Sequence, residues 1–137
     1  MAQERMTAAQ FRALRPGETV PGARPGSARR TPHQAGKMNK LEARYHREIL
    51  QPRLMAGEYL DVRFEPFKLR LADKTFYSFD FAAVRPDYIE LHETKGFWED
   101  DARVKWKVAA EQFWWFKFFA VQFVKGAWKI EEYRGEA

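Results

Sequence analysis

The sequence contains no cysteine and only three histidines, which excludes several kinds of chemistry. Without cysteine the chain cannot form disulfides, thiolate metal sites or thiol nucleophiles, and this composition fits a reducing cytoplasm. The histidines, at positions 33, 46 and 92, are too scattered for an imidazole zinc site. Long apolar runs are missing too: the first 30 residues lack a signal-peptide core, and the aromatic stretch 113–124 contains Lys117 and is too short to cross a bilayer. We therefore expect a soluble, cytoplasmic protein with no membrane partner.

Net charge is absent from most of the chain and concentrated at its N-terminus. Residues 1–37 contain seven Lys or Arg and two Glu, a net of +5, whereas residues 38–137 balance 17 basic against 17 acidic residues. Pro and Gly recur in the first segment, which predicts a flexible basic arm at 1–37 and a folded domain at 38–137. Such an arm binds phosphates without sequence preference, and its candidate DNA contacts include Arg29, Arg30 and Lys37. A solubilising leader or an expression remnant is the alternative.

Hydrophobic periodicity predicts an α/β domain. With 45% hydrophobic and 16% aromatic residues, the chain can bury the core of one domain of about a hundred residues. We expect a mixed central β-sheet flanked by helices. The expected order is a helix at 39–56, strands at 60–64 and 67–71, a strand through Asp80, a strand through Glu93, a helix that opens at Glu99, and strands at 118–124 and 128–133.

Two acidic residues stand in segments otherwise expected to be buried strands. Asp80 interrupts the aromatic stretch 75–84, and Glu93 and Lys95 continue the apolar face of the strand at 88–95, since side chains alternate along a strand. A buried carboxylate costs several kcal/mol unless it is paired, hydrogen-bonded or bound to a metal. Two carboxylates beside a lysine suit phosphodiester hydrolysis, in which the acids hold Mg²⁺ or Mn²⁺ and the metal activates a water. The alternative is a structural ion pair of Lys95 with one of the acids.

The order of these residues resembles the PD-(D/E)xK nuclease superfamily. Asp80 matches the first acid of the signature and Glu93-Thr94-Lys95 its second half, whereas Phe79 stands where the signature has proline. From Asn39 to about Val121, the chain is similar to small phage-associated proteins whose nearest characterised relatives are Holliday-junction resolvase-like endonucleases. The resemblance implies a restriction-endonuclease-like αβββαβ core, a Mg²⁺ or Mn²⁺ cofactor, branched DNA as substrate, a homodimer, and a bacterial or phage-infected host cell.

The resemblance also assigns roles to individual residues. Asp80 and Glu93 would ligate the metal with the Thr94 carbonyl as a third ligand, and Lys95 would position the attacking water. Glu42 matches a glutamate that these nucleases carry on the helix before the sheet. Because Asn39 stands three residues earlier, Glu42 also completes a capping box, and the two roles are compatible. Gln112 matches a glutamine that points towards the catalytic lysine in some relatives.

Several further residues have two open interpretations. Arg103, Lys105 and Lys107 on the second helix either lie beside a DNA backbone or form a solvated face. The aromatic cluster at 113–119 is more typical of a core or a dimer surface than of a base-stacking platform. His92 is expected to be structural or DNA-facing. The sequence thus predicts a metal-dependent DNA endonuclease acting on branched DNA such as Holliday junctions. A nuclease that cuts or nicks ordinary duplex and a non-catalytic DNA-binding protein are the alternatives.

Overall fold

The computed structural model describes residues 36–135, so Arg29 and Arg30 of the predicted arm lie outside the described residues. The helical segments of this part are α1 (Lys40–Tyr45), a π-helical turn (His46–Leu50), α2 (Gln51–Met55) and α3 (Asp100–Gln112). Its strands are β1 (Asp61–Phe64), β2 (Lys68–Ala72), β3 (Thr75–Ser78), β4 (Phe81–Val84), β5 (Ile89–Thr94), β6 (Phe116–Val124) and β7 (Ala127–Glu132). None of these helices is long and apolar enough to cross a bilayer.

A mixed five-stranded sheet in the order β1-β4-β5-β6-β7 forms the centre of the fold. Strands β1, β4 and β5 pair antiparallel, β5 and β6 pair parallel, and β6 and β7 close an antiparallel hairpin. Helix α3 makes the crossover between the two parallel strands, as a parallel pair requires. The predicted α/β class and mixed sheet are confirmed.

The N-terminal helix begins and ends where the sequence predicts. Asn39 Oδ1 accepts from the Glu42 N–H at 2.8 Å, and the Glu42 carboxylate accepts from the Asn39 N–H at 2.9 Å, which forms the capping box. The π-helical turn lies next to Pro52, whose nitrogen has no hydrogen to donate to a regular helical ladder. Gly57 follows the helix with a φ of 79°, the left-handed conformation common after a helix C-terminus.

The prediction of one continuous strand through Asp80 is wrong. Strand β3 pairs with β2 in a separate two-stranded sheet, and β4 lies between β1 and β5 in the main sheet. In an unbroken strand Tyr77, Phe79 and Phe81 would share one face. Here Tyr77 and Phe79 join the core beneath α3, whereas Phe81 joins the core beneath the N-terminal helix. The chain therefore breaks at Phe79 and Asp80, and these two residues belong to neither strand.

Two hydrophobic cores cover the two faces of the main sheet. Beneath α3 and the β2–β3 hairpin lies a core that includes Leu91, Trp106 and Phe118. Beneath the N-terminal helix lies a core that includes Tyr45 and Val121. The carboxylates predicted to be functional lie at one end of this layered structure, where β5 stops.

Candidate active site

Asp80 lies in the break between β3 and β4, beside the C-terminal end of β5. Its N–H donates to the His92 carbonyl at 2.9 Å, and its own carbonyl accepts from the Glu65 N–H at 2.7 Å. Its carboxylate atom Oδ2 accepts from the N–H and the hydroxyl of Thr94, at 2.7 and 2.9 Å. The side chain of Asp80 is therefore fixed against the last residue of β5.

Glu93, the residue before Thr94 in β5, is buried and is held from two sides. Lys95 Nζ lies 3.4 Å from Glu93 Oε1, and the Tyr77 hydroxyl donates a hydrogen bond to Oε2. Glu93 is only 8% exposed, so its contact with Lys95 is not an ordinary surface ion pair. Sequence reasoning missed Tyr77, because its strand was expected to continue into the Asp80 strand. The hydroxyl of a tyrosine within a buried aromatic segment was the signal that could have identified it, since such hydroxyls require a partner.

Glu42 approaches the same site from the N-terminal helix. It is 4% exposed, and its two oxygen atoms accept from the backbone and side-chain nitrogens of Asn39, each at 2.9 Å. Its charge nevertheless raises the pKa of Asp80, so it is within electrostatic reach of that carboxylate. The structure thus brings Glu42, Asp80, Glu93, Thr94 and Lys95 together.

Two of these carboxylates have raised pKa values. Burial raises the pKa of Asp80 to about 7; the negative charges of Glu42 and Glu93 add to this, and the hydrogen bond from the Thr94 N–H opposes it. Burial also raises the pKa of Glu93, against the Tyr77 hydrogen bond and the charge of Lys95. Burial therefore makes both carboxylates costly to ionise, by more than their hydrogen bonds and the nearby positive charges compensate.

A magnesium-type ion fits this donor set. Within residues 36–135, no three or more His, Cys, Asp or Glu side chains form a metal-binding group. Mg²⁺ does not need such a cage, because it keeps several waters and binds through one or two carboxylates. Asp80 and Glu93 offer hard oxygen ligands, and a divalent cation would offset the cost of ionising them. Thr94, whose carbonyl is the predicted third ligand, adjoins both.

A second polar network lies on the opposite face of β5 and is structural. Glu90 accepts from Tyr59 at 2.8 Å, from Arg85 at 2.5 Å and from His92 Nε2 at 2.9 Å, and the Tyr45 hydroxyl lies 2.7 Å from His92 Nδ1. Burial alone would raise the pKa of Glu90, but the hydrogen bonds from His92 and Arg85 lower it to about 2. His92 is fully buried, so the structural interpretation is confirmed and the DNA-facing one is wrong.

The predicted DNA-binding residues differ in their surroundings. Lys37, Lys105 and Lys107 are exposed. The charge of Lys105 opposes the rise in the pKa of Glu93 that burial causes. Arg103 instead makes a bidentate ion pair with Glu131, at 2.8 and 3.0 Å. Among the cations of α3, Lys105 is therefore the one that acts on the candidate site.

Gln112 lies away from the carboxylates. It is the exposed last residue of α3, which runs back towards the start of β6, and Phe116 there pairs with Ile89 at the start of β5. Lys95 follows the other end of β5, so the structure does not bring Gln112 to it.

A groove of about 760 Å³ lies between α3 and the C-terminal strand and is separate from this site. It mixes both signs of charge with aromatic rings, and neither Asp80 nor Glu93 lines it. Its lining comprises Arg103, Trp106, Lys107, Ala110, Glu111, Trp114, Phe116, Phe118, Glu131, Glu132, Tyr133, Arg134 and Gly135.

Comparison with known proteins adds no relative: no protein-family profile, no curated protein and no solved structure matches this chain significantly.

Proposed function

We propose that this chain is a Mg²⁺- or Mn²⁺-dependent DNA endonuclease and that residues 38–137 are its nuclease domain. The observation that carries the proposal is the meeting of the buried carboxylates of Glu42 and Glu93 with the half-buried carboxylate of Asp80 and with Lys95, at the end of β5. A structural ion pair accounts for Glu93 and Lys95 but not for Asp80, which forms no salt bridge with any residue in 36–135. Perturbed carboxylates that cluster in this way are typical of functional sites.

The order of the elements supports this proposal. If the β2–β3 hairpin is counted as an insertion, the chain follows the order helix, three strands, helix and two strands. Without β7, this order is compatible with the αβββαβ order expected of a restriction-endonuclease-like core. The candidate residues also lie at the carboxyl end of a strand in an α/β sheet, where such folds bind ligands.

The roles follow from the contacts of each side chain. Asp80 and Glu93 would hold the metal together with the Thr94 carbonyl, and a bound ion supplies a Lewis acid and an activated water. The two hydrogen bonds from Thr94 keep Asp80 in one orientation. Lys95 places a positive charge beside Glu93, where it can orient the water and stabilise charge that develops on the phosphate. Glu42 adds negative charge, which strengthens the attraction for a cation.

The proposed substrate is DNA, in particular branched DNA such as a Holliday junction. Junction-resolving enzymes usually pair two active sites to cut two strands, so a homodimer is part of the proposal. The basic arm would add affinity for phosphates that falls as salt rises. Lys37, at its end, is exposed and available for such contacts.

A single pair of variants tests the chemistry. Asp80→Asn removes the charge but preserves the shape of the side chain, and Asp87→Asn makes the same change at an exposed turn. We expect Mg²⁺-dependent cleavage of labelled DNA to fall by at least about a hundredfold in Asp80→Asn and to be unchanged in Asp87→Asn. Equal cleavage by both variants, with both folded, would remove Asp80 from the chemistry.

A further inference from the structure

We propose that Phe97 stacks on an unpaired or terminal base next to the phosphate that is cut, and so favours branched DNA over continuous duplex. This inference rests on the proposed endonuclease function and names a residue that selects its substrate. The Phe97 ring is 74% exposed, although an aromatic side chain gains most when it is buried. It follows Lys95 by two residues, so their Cα atoms lie within about 7 Å of each other.

The loop that carries this ring is tied to β6 on both sides. The Lys95 N–H and the Trp98 indole N–H both donate to the Val121 carbonyl, at 3.0 and 3.3 Å. Between them, the Gly96 carbonyl accepts from Gln122 Nε2 at 3.1 Å. The loop is therefore anchored immediately before and after the exposed ring, which favours a preformed contact surface.

The exposure is specific to Phe97 and is not a property of the whole loop. The adjacent ring of Trp98 is half-buried and packs against Trp106, with 6.1 Å between ring centroids. Of the two neighbouring aromatic side chains, Trp98 packs inwards and Phe97 does not. Phe97 is thus left exposed two residues after Lys95.

The charges around this ring favour a base over a phosphate as its partner. Lys95 precedes the ring, whereas the exposed acids Glu99, Asp100 and Asp101 follow it. Phosphates are attracted to the lysine and repelled by the acids. A continuous backbone held at Lys95 would meet these acids, whereas a strand that leaves its duplex at a branch turns away and exposes a base. Bases of every type stack on an aromatic ring, so the contact requires no particular sequence.

The test compares Phe97→Ala and Phe97→Trp with Trp114→Ala. Trp114 is a matched control, because it is 77% exposed but lies beyond the far end of α3. The probes are a four-way junction and a linear duplex of the same arm sequence, each with 2-aminopurine at the position of the branch. Affinity and 2-aminopurine fluorescence are measured in Ca²⁺, and cleavage is measured in Mg²⁺ and Mn²⁺.

We expect Phe97→Ala to weaken junction binding about tenfold, the size of one lost base–aromatic stack, to abolish the fluorescence change, and to leave duplex binding unchanged. Phe97→Trp should retain both signals, and Trp114→Ala should match the wild type. Equal losses on both DNAs, unchanged junction affinity, or a change in oligomeric state of Phe97→Ala would overturn the proposal. If the wild type shows the Phe97-dependent fluorescence change but cuts neither DNA, the proposed nuclease function is wrong and the proposed base stacking by Phe97 stands. If the wild type cuts DNA but Phe97→Ala binds the junction as tightly as the wild type does, the nuclease function stands and the proposed role of Phe97 is wrong.

Discussion

The hydroxyl of Tyr77 donates a hydrogen bond to the carboxylate of Glu93 from a strand that belongs to a different sheet. Both side chains are buried, and β3 has no pairing partner other than β2 within the described residues. The small hairpin therefore helps to fix the orientation of Glu93. This contact gives the hairpin a role in the candidate site that its position in the chain does not suggest.

In the wild type, the hydrogen bond from Tyr77 lowers the pKa of Glu93 and so opposes the effect of burial. The variant Tyr77→Phe removes this hydrogen bond. We expect the pKa of Glu93 to rise further, so that the acidic limb of the cleavage rate profile shifts to higher pH. Stability should fall by about 1–2 kcal/mol. The control is Tyr45→Phe, which removes a buried hydrogen bond to His92 on the other face of the sheet. It should cost similar stability without moving the profile, and identical profiles for both variants would contradict the role of Tyr77.

Asp80 should make the metal-free protein less stable as pH rises. Its folded pKa of about 7 is above its ordinary value of 3.8, so the folded state favours the protonated form. The resulting stability is complete below about pH 4 and is lost as pH rises through 7, a change on the order of 4 kcal/mol. The free energy of unfolding can be measured in urea with EDTA present. For Asp80→Asn it should fall less than for the wild type between pH 4 and pH 8, and at pH 8 it should be higher than that of the wild type. Parallel curves from pH 4 to 8 would show that Asp80 does not titrate in this way.

Mutation of Glu90 should destabilise the fold in the opposite pH range. Its folded pKa of about 2 is below the ordinary 4.5, so its contribution is complete above pH 4.5 and is lost as pH falls towards 2. Glu90→Gln leaves Arg85 and His92 without their buried anion, and we expect a loss of about 3–5 kcal/mol in urea unfolding at pH 7. Glu48→Gln, which breaks an exposed ion pair with Arg44, should cost less than about 1 kcal/mol. A similar small cost for both would show that the Glu90 network does not stabilise the fold.

Lys105 and Arg103 should differ in their effect on DNA binding. Lys105 is exposed, whereas the guanidinium of Arg103 is already engaged by Glu131. We expect Lys105→Ala to weaken binding and to reduce the slope of log affinity against log salt by about 0.9, the value for one phosphate contact. Arg103→Ala should leave that slope unchanged. Salt titrations of both variants on one duplex measure this, and the reverse order would place the DNA on the other side of α3.

Features that depend on neighbouring residues could be predicted from the sequence. The capping box at Asn39 and the turn at Gly57 are set by local backbone chemistry. The two-residue turn at Lys125 and Gly126 is likewise local, with positive φ at both positions. Alternation along β5 also placed Glu93 correctly in the interior.

Features that depend on distant packing could not be predicted. The break at Phe79 and Asp80 arises because Phe79 and Phe81 enter different cores, and these two aromatic residues look equally apolar along the chain. The same break gave Tyr77 its contact with Glu93. The crossover, in which α3 runs from the end of β5 back to the start of β6, keeps Gln112 away from Lys95. Such relationships require knowledge of which face each side chain occupies.

The central claim is that the cluster around Glu93 cuts DNA with a divalent metal. The most direct measurement compares the wild type with Glu93→Ala on a labelled four-way junction and on its matched linear duplex, in Mg²⁺, Mn²⁺ or EDTA. We predict junction-selective cleavage by the wild type in either metal, none in EDTA, and none by a folded Glu93→Ala. DNA binding without cleavage under every metal condition would contradict the account and favour a non-catalytic DNA-binding protein.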